Sequence, residues 1–326
     1  MLSGILFALA AGLMWGLVFV GPLLLPEYPA TLQSFGRYLA FGLIALPLGW
    51  LDRARLRRLS RADWLEALKL ALVGNIVYYL FLASSIQRAG GPLPTMIIGT
   101  LPVVIAITSK LRRAGPGARV ESRLPWLRLL PSLGLIGLGL ALVNQVELDH
   151  LRRDPNADLA RYALGGVLAV GAVACWTWYP IRNAEWLRAH PDRSPRGWAT
   201  AQGLATLPLA LLGYALTWAW SAASGSAFAM PFGPRAAEFV LLMFAIGLFA
   251  STLGTLCWNE ASQRLPPTLA GQLIVFETLA ALSYAFVLRR SVPQVETLVG
   301  VALLVAGVVW AVRTQPADAS ADAHPN

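Results

Sequence analysis

The sequence predicts an all-α membrane protein with ten transmembrane helices, arranged as two inverted five-helix repeats. Three observations carry that expectation. The chain is 56% hydrophobic and only 13% charged, whereas an ordinary soluble domain carries roughly 25% charged residues. Its apolar residues fall in long blocks, each about the 20 residues a helix needs to cross the hydrocarbon of a bilayer. Finally, part of the first half can be laid on the second at a constant offset of 176, which brings Gln87-Arg88 onto Gln263-Arg264, Ile98 onto Ile274 and Arg113 onto Arg289.

The blocks place the first five spans at Leu2 to Leu23, Thr31 to Leu51, Trp64 to Ser84, Leu93 to Leu111 and Leu127 to Val146. The second five are Tyr162 to Ile181, Trp198 to Ala219, Ala236 to Trp258, Leu269 to Leu288 and Glu296 to Arg313. Residues 1–148 then form the first repeat, 160–313 the second, and 314–326 a polar tail expected to be disordered and cytoplasmic. The first block lacks a basic leader and a small-residue cleavage site, so Met1 to Pro22 reads as a span and not a removable signal.

Basic residues resist translocation, so their distribution orients the chain. Arg53, Arg55, Arg57, Arg58 and Arg61 follow the second span, Lys110 to Arg128 hold six more after the fourth, and Arg182, Arg188, Arg193 and Arg196 follow the sixth. The alternate loops hold fewer: Arg88, Arg152, Arg153, Arg161, Arg235, Arg289 and Arg290. Both termini are thereby predicted in the cytoplasm of a bacterial inner membrane, with Arg289 and Arg290 on the unfavoured side. Five spans is an odd number, so the second repeat starts from the opposite face. Such inverted repeats are characteristic of secondary transporters, whose site lies near the midplane between the halves.

Several function classes are excluded. The basic residues, although the net charge is +9, are scattered over loops and form no amphipathic stripe for nucleic acid. Cys175 and Cys257 lie inside apolar blocks without metal-ligand spacing, so neither a disulfide framework nor a metal site is expected. No Gly-x-x-x-x-Gly-Lys segment for an ATP-driven pump is present, and His150, His190 and His324 fall in loops or the tail. The reading is therefore not an enzyme and calls for no cofactor. The expected partners are a small-molecule metabolite and membrane lipids, and a homodimer is compatible with the pattern.

Within the spans, charge is costly, so it faces the bundle interior or snorkels to an interface. Arg37 is either a substrate or gating group, its forked guanidinium suited to a carboxylate, or an anchor near the headgroups. Glu277, eight residues into the ninth span, is the candidate proton-coupling group; the alternative is a neutral acid bonded to Gln272 or Asn75. Lys69 is expected to snorkel, and Glu260 to pair with Arg264 four residues on. Trp15 and Trp176 correspond at an offset of 161 and could wall a cavity. The commoner role for tryptophan and tyrosine, Trp178, Tyr179, Tyr78, Tyr79 and Trp258 included, is an interface belt. Pro102 and Gly99 interrupt the fourth span and free backbone carbonyls, which makes Thr95, Gly99 and Thr100 candidate cavity residues. Gly134, Gly137, Gly139, Gly165, Gly166 and Gly171 are expected to permit close helix packing. The candidate substrate-binding set is Arg37, Trp15, Trp176, Asn75, Tyr79, Thr95, Gly99 and Gln272.

Leu13-Met14-Trp15-Gly16 in the first span, Ser34-Phe35-Gly36-Arg37-Tyr38 in the second and Leu101-Pro102 in the fourth carry a resemblance over essentially the whole chain. The sequence resembles the drug/metabolite transporter superfamily, EamA type. That resemblance implies ten helices in two repeats and export of amino acids or related metabolites, with carriers of lipid-linked or nucleotide sugars as the alternative. A non-transporting membrane assembly partner is the alternative of a different class. The sequence departs from the family at Glu277-Thr278, where a Glu-Pro pair is usual, and at Leu288-Arg289-Arg290, where a Leu-Gly-Glu is usual.

Overall fold

The computed structural model describes residues 1–102, 104–105, 108, 130–139, 141–142, 145, 158–265, 267–290 and 294–313. Every element among them is helical. In chain order they are α1 (Leu2–Leu24), α2 (Ala30–Leu51), α3 (Arg61–Ala89), α4 (Pro92–Gly99), α5 (Leu130–Gly139), α6 (Leu159–Ala189), α7 (Pro195–Ala223), α8 (Ala236–Arg264), α9 (Leu269–Leu288) and α10 (Val295–Arg313). A short turn of helix, Arg53–Leu56, follows α2. Seven of the described helices, α1, α2, α3, α6, α7, α8 and α9, are long and apolar enough to cross a membrane. Most residues of the second half of the expected fourth span, the loop after it, residues at both ends of the fifth span and the tail 314–326 lie outside the described residues.

Several helices are longer than hydropathy predicts. The third runs from Arg61 to Ala89, the sixth continues to Ala189 and the eighth to Arg264. Hydropathy marks only the part of a helix inside hydrocarbon, whereas the helix itself continues until its capping chemistry ends it. Ser60 starts α3 with a capping box, accepting from the Asp63 amide while Asp63 accepts from the Ser60 amide. Asp158 caps α6, and Ser194 caps α7 with Pro195 in its first turn.

The exterior is apolar: Leu212, Leu216, Trp220, Leu241 and Val287 are exposed, whereas Gln33, Asn183, Gln202 and Asn259 are fully buried. In a bilayer that inversion is the stable arrangement, because lipid tolerates leucine and the interior must satisfy every polar group. Packing pairs join the two halves of the chain: α2 lies along α7, α3 along α6, and α1 along α8 and α9. The α1–α9 contact uses Gly12 and Gly16 of α1, one turn apart. A Cβ on Gly12 would sit 3.1 Å from the Glu277 amide nitrogen, and one on Gly16 2.9 Å from that of Ala281.

Connections gather at two ends. One holds the start of α1 and the α2–α3, α6–α7 and α8–α9 turns: Arg196 in the first turn of α7 binds Asp52 after α2 at 3.1 Å, and the Gln263 amide donates to the Arg193 carbonyl at 3.4 Å. The other holds the α1–α2 turn and the α3–α4 turn, with the start of α6 beside them: Gln87 donates to the Tyr28 carbonyl at 2.5 Å and Arg161 to the Gln87 carbonyl at 3.0 Å. Thus α1 and α6 begin from opposite ends.

Helices α3 and α8 each widen into a π-helical stretch, Ala71–Val77 and Gly247–Leu253, at equivalent positions under the 176-residue offset. Such stretches are rare and cluster at functional sites. Helix α9 is also irregular: Pro267–Leu273 and Val275–Arg289 meet at Ile274. Glu277 therefore lies in the first turn of the second piece, its amide bonded to the Ile274 carbonyl at 2.9 Å.

Candidate functional site

Just after the π stretch of α3 come Tyr78 and Tyr79, both buried. Gly74 inside the stretch lets Tyr179 of α6 lie against α3, since a Cβ there would fall 2.2 Å from the Tyr179 ring. Trp176 then stacks on Tyr179 with ring centroids 4.9 Å apart and on Tyr78 at 4.6 Å. Trp15 of α1 meets the edge of Trp176 at 5.0 Å and Trp258 of α8 at 5.1 Å. Four helices, α1, α3, α6 and α8, thus build one buried, ring-packed aromatic chamber between the halves.

Two ionisable side chains sit in its wall. Arg37 is 4% exposed; its Nε donates to the Ser251 hydroxyl at 2.9 Å, and its guanidinium lies 4.5 Å from the Tyr79 ring centroid and 4.8 Å from that of Tyr38. Glu277 is 1% exposed, and Tyr78, Trp176 and Arg37 all face it. Arg37 and Glu277 form no ion pair within 4.0 Å, so they face one chamber without neutralising each other directly. Among the described residues, Arg37 Nη1, the Tyr78 hydroxyl, Trp176 Nε1, Trp258 Nε1 and both Glu277 carboxyl oxygens are buried without a hydrogen bond of ordinary geometry, although Tyr78 and Trp176 direct their donors at Glu277. Buried polar groups are rarely left so, because each costs about 1–3 kcal/mol. Arg37, Tyr78, Trp176 and Glu277 converge, which gives the chamber donors and an acceptor for a polar guest.

The remaining predicted residues are placed as follows. Asn75 is buried and donates to the Thr206 hydroxyl of α7 at 3.1 Å, and Tyr79 donates to the Val18 carbonyl at 2.9 Å. Neither Asn75 nor Gln272 holds Glu277. Gln272 is 0% exposed and both its amide atoms lack a partner among the described residues. Thr95 is buried but turns its hydroxyl back onto the Gly91 carbonyl at 2.8 Å, and Gly99 is buried in α4. Thr100, expected on a cavity, is exposed and bonds the Ile97 carbonyl at 2.6 Å. Arg37 is no headgroup anchor, because its burial and its bond to α8 draw it inward. Tyr78, Tyr79, Trp176, Tyr179 and Trp258 likewise form the chamber and not a belt; Trp176 stands midway along a helix that hydropathy ended too early. Of the expected packing glycines, Gly139, Gly165 and Gly171 are closely covered, whereas among the described residues Gly134 and Gly137 meet nothing within 4 Å. Lys69 reaches outward beside Glu66 at 3.7 Å, and Arg264 binds Glu260 at 2.5 Å, as expected.

Sequence reading missed Tyr38, Ser251 and the polar chain behind the chamber. The Tyr179 hydroxyl donates to Gln202 at 2.8 Å, Gln202 and Trp198 both donate to Asn183 at 3.1 and 2.9 Å, and Asn183 donates to Asn259 at 2.8 Å. Polar residues this deep in apolar spans were the available signal. Toward the α2–α3 end, ion pairs join the halves: Arg182 binds Glu66 at 2.5 Å, Arg196 binds Asp52, and Trp186 donates to Asp63 at 3.1 Å.

Fold and chamber together define an all-α membrane protein with a buried polar site. Residues 2–114 match the EamA-like transporter family. The chain is 56% identical over 316 residues to the inner membrane protein YtfF of Escherichia coli strain K12, covering 97% of each. It belongs to the EamA-like transporter family and is thus a membrane transporter. A solved crystal structure with 18% sequence identity has the same fold, at TM-score 0.69 over 95% of this chain and 98% of that one.

Proposed function

We propose that the chain is a multi-pass inner-membrane exporter of amino acids or closely related small polar metabolites, working by alternating access with proton coupling at Glu277. One observation carries this reading: Arg37 and Glu277 are buried in one aromatic chamber, unpaired with each other, and both present hydrogen-bonding atoms without partners. A zwitterion has the complementary chemistry. Its carboxylate fits the Arg37 fork, and its ammonium fits the Glu277 carboxyl and the aromatic faces around it.

An inverted repeat is supported by features recurring at the 176-residue offset. The two π stretches correspond, as do Asn75, bonded to α7, and Ser251, bonded to α2. The opposite starting ends of α1 and α6 agree with this. The described arginines also gather at the α2–α3 end, where Arg53, Arg55, Arg57, Arg58, Arg188, Arg193 and Arg196 lie, which supports cytoplasmic termini. YtfF is an inner membrane protein, which supports the same membrane here. Glu277 in the first turn after a helix break fits a coupling group, because discontinuous helices form the midplane sites of secondary transporters.

The test is counterflow of labelled amino acids in liposomes holding purified protein, with Arg37→Ala and Glu277→Gln beside the parent. Uptake of one amino acid that is lost in Arg37→Ala establishes the substrate class. Folded protein with no amino-acid counterflow refutes it and turns the search to lipid-linked or nucleotide sugars.

A further inference from the structure

A cleft outside the chamber is lined by Ile105, Pro180, Ile181, Ala184, Trp258, Ser262, Leu265, Ala270, Gly271 and Ile274. It lies between α6, α8, the first piece of α9 and the residues after α4, toward the α2–α3 end. Its lining is apolar with two exceptions. Trp258 is 2% exposed and Ser262 4%, and both Trp258 Nε1 and the Ser262 hydroxyl lack a hydrogen-bond partner among the described residues. The cavity measures about 20 Å³, so its two unsatisfied donors form a site for a small accepting end, a carboxylate or carbonyl, while the rest of a ligand stays in the open mouth of the cleft.

Trp258 separates the cleft from the chamber, since its ring also packs on Trp15 at 5.1 Å. Ile274 lines the cleft at the break in α9, and Glu277 follows in the next turn. The partition between cleft and chamber is therefore one aromatic layer beside an irregular helix.

We infer that this cleft is a second position for the transported molecule on its route from the α2–α3 end, binding a carboxylate or carbonyl through Trp258 and Ser262. The inference rests on the export reading above and names a site that reading does not use. Indole N–H and hydroxyl are neutral donors, so they hold an acceptor more weakly than Arg37 does. A transit position needs that weaker hold, and the molecule moves inward when the Trp258 and Trp15 rings part.

The probe is a small methanethiosulfonate carrying a sulfonate, applied to Ser262→Cys in a background where Cys175 and Cys257, both free thiols, are replaced by alanine. Membrane vesicles of both orientations are used. Ser262→Cys is expected to react from the α2–α3 end at least about ten-fold faster than Ser132→Cys, a buried control bonded to the Gly307 carbonyl. Ala184→Phe, which fills the cleft, is expected to remove that reaction, and Arg37→Ala to leave it. Complete labelling of Ser262→Cys in liposomes is expected to lower its counterflow at least about ten-fold below that of the same variant before labelling. An unreactive Ser262→Cys, or full counterflow after complete labelling, overturns the cleft while parent counterflow still supports the export reading. Absence of counterflow in the parent overturns the reading beneath it.

Discussion

Gln87 and Gln263 do the same work at opposite ends of the bundle. Gln87, at the end of α3, holds the α1–α2 turn through the Tyr28 carbonyl at 2.5 Å and the Ala30 amide at 3.1 Å. Gln263, at the end of α8, holds the α6–α7 turn through the Arg193 carbonyl at 3.4 Å. The first clamp has two bonds and is partly buried; the second is single, long and exposed. Gln87→Ala is expected to lower unfolding stability in detergent by about 1–2 kcal/mol, and Gln263→Ala by under about 0.5 kcal/mol. Thermal midpoints of the two variants check this, and equal losses would sink the ranking.

Arg37→Lys keeps the charge but loses the fork that reaches Ser251 and stacks between Tyr38 and Tyr79. Counterflow is expected to fall at least about ten-fold, equivalent to about 1.4 kcal/mol. Ser251→Ala removes one of the guanidinium's fixed bonds and is expected to cost less. Arg37→Lys at parent activity would mean that the chamber needs only a positive charge.

Glu277→Gln preserves the shape of the carboxyl and removes its proton exchange. Counterflow without a proton gradient is expected to persist, and uphill transport driven by a proton gradient to vanish. Uphill transport that survives the substitution would move coupling to another group.

Gly16→Ala places a methyl group 2.7 Å from the Ala280 Cβ and 2.9 Å from the Ala281 nitrogen. Backbone cannot swing aside, so α1 is forced from α9, at about 1–3 kcal/mol. Among the described residues a methyl group at Gly134 meets nothing within 4 Å, so Gly134→Ala is expected to be neutral or to add up to about 1 kcal/mol, the helix preference of alanine over glycine. Melting curves of both variants separate crowding from propensity.

Asp52 is almost fully buried and accepts from Arg55, Arg196 and Thr200. It ties the end of α2 to the start of α7. Asp52→Asn is expected to loosen that end, and to raise the reaction rate of Ser262→Cys with the sulfonate-bearing reagent from the same side. An unchanged rate would show that this tie does not close the α2–α3 end.

Most of the helix inventory was legible because apolar block length reports directly on bilayer thickness. The ends were less legible: caps at Ser60, Asp158 and Ser194 extend helices into polar sequence that hydropathy scores as loop. Arg37 and Glu277 stood out because a charge inside an apolar span is costly wherever it points. Their neighbours did not, since tyrosine and tryptophan read equally as belt or as chamber. Only the register of α6 against α3, set where Gly74 admits Tyr179, decides between them. The Gly12 and Gly16 spacing on α1 was visible in the sequence, but nothing in it named α9 as the partner.

The sequence by itself determined that this chain crosses a membrane repeatedly and that two ionisable groups lie within its apolar helices. Each of these follows from composition and spacing along one chain, where the solvent selects the pattern. The tertiary structure alone decided that Arg37 and Glu277 share a chamber, that Ser251 and not a carboxylate holds the guanidinium, and that Asn75 turns to Thr206. Those outcomes depend on contacts between residues up to 240 positions apart, and such contacts are set by helix packing, which no local periodicity encodes.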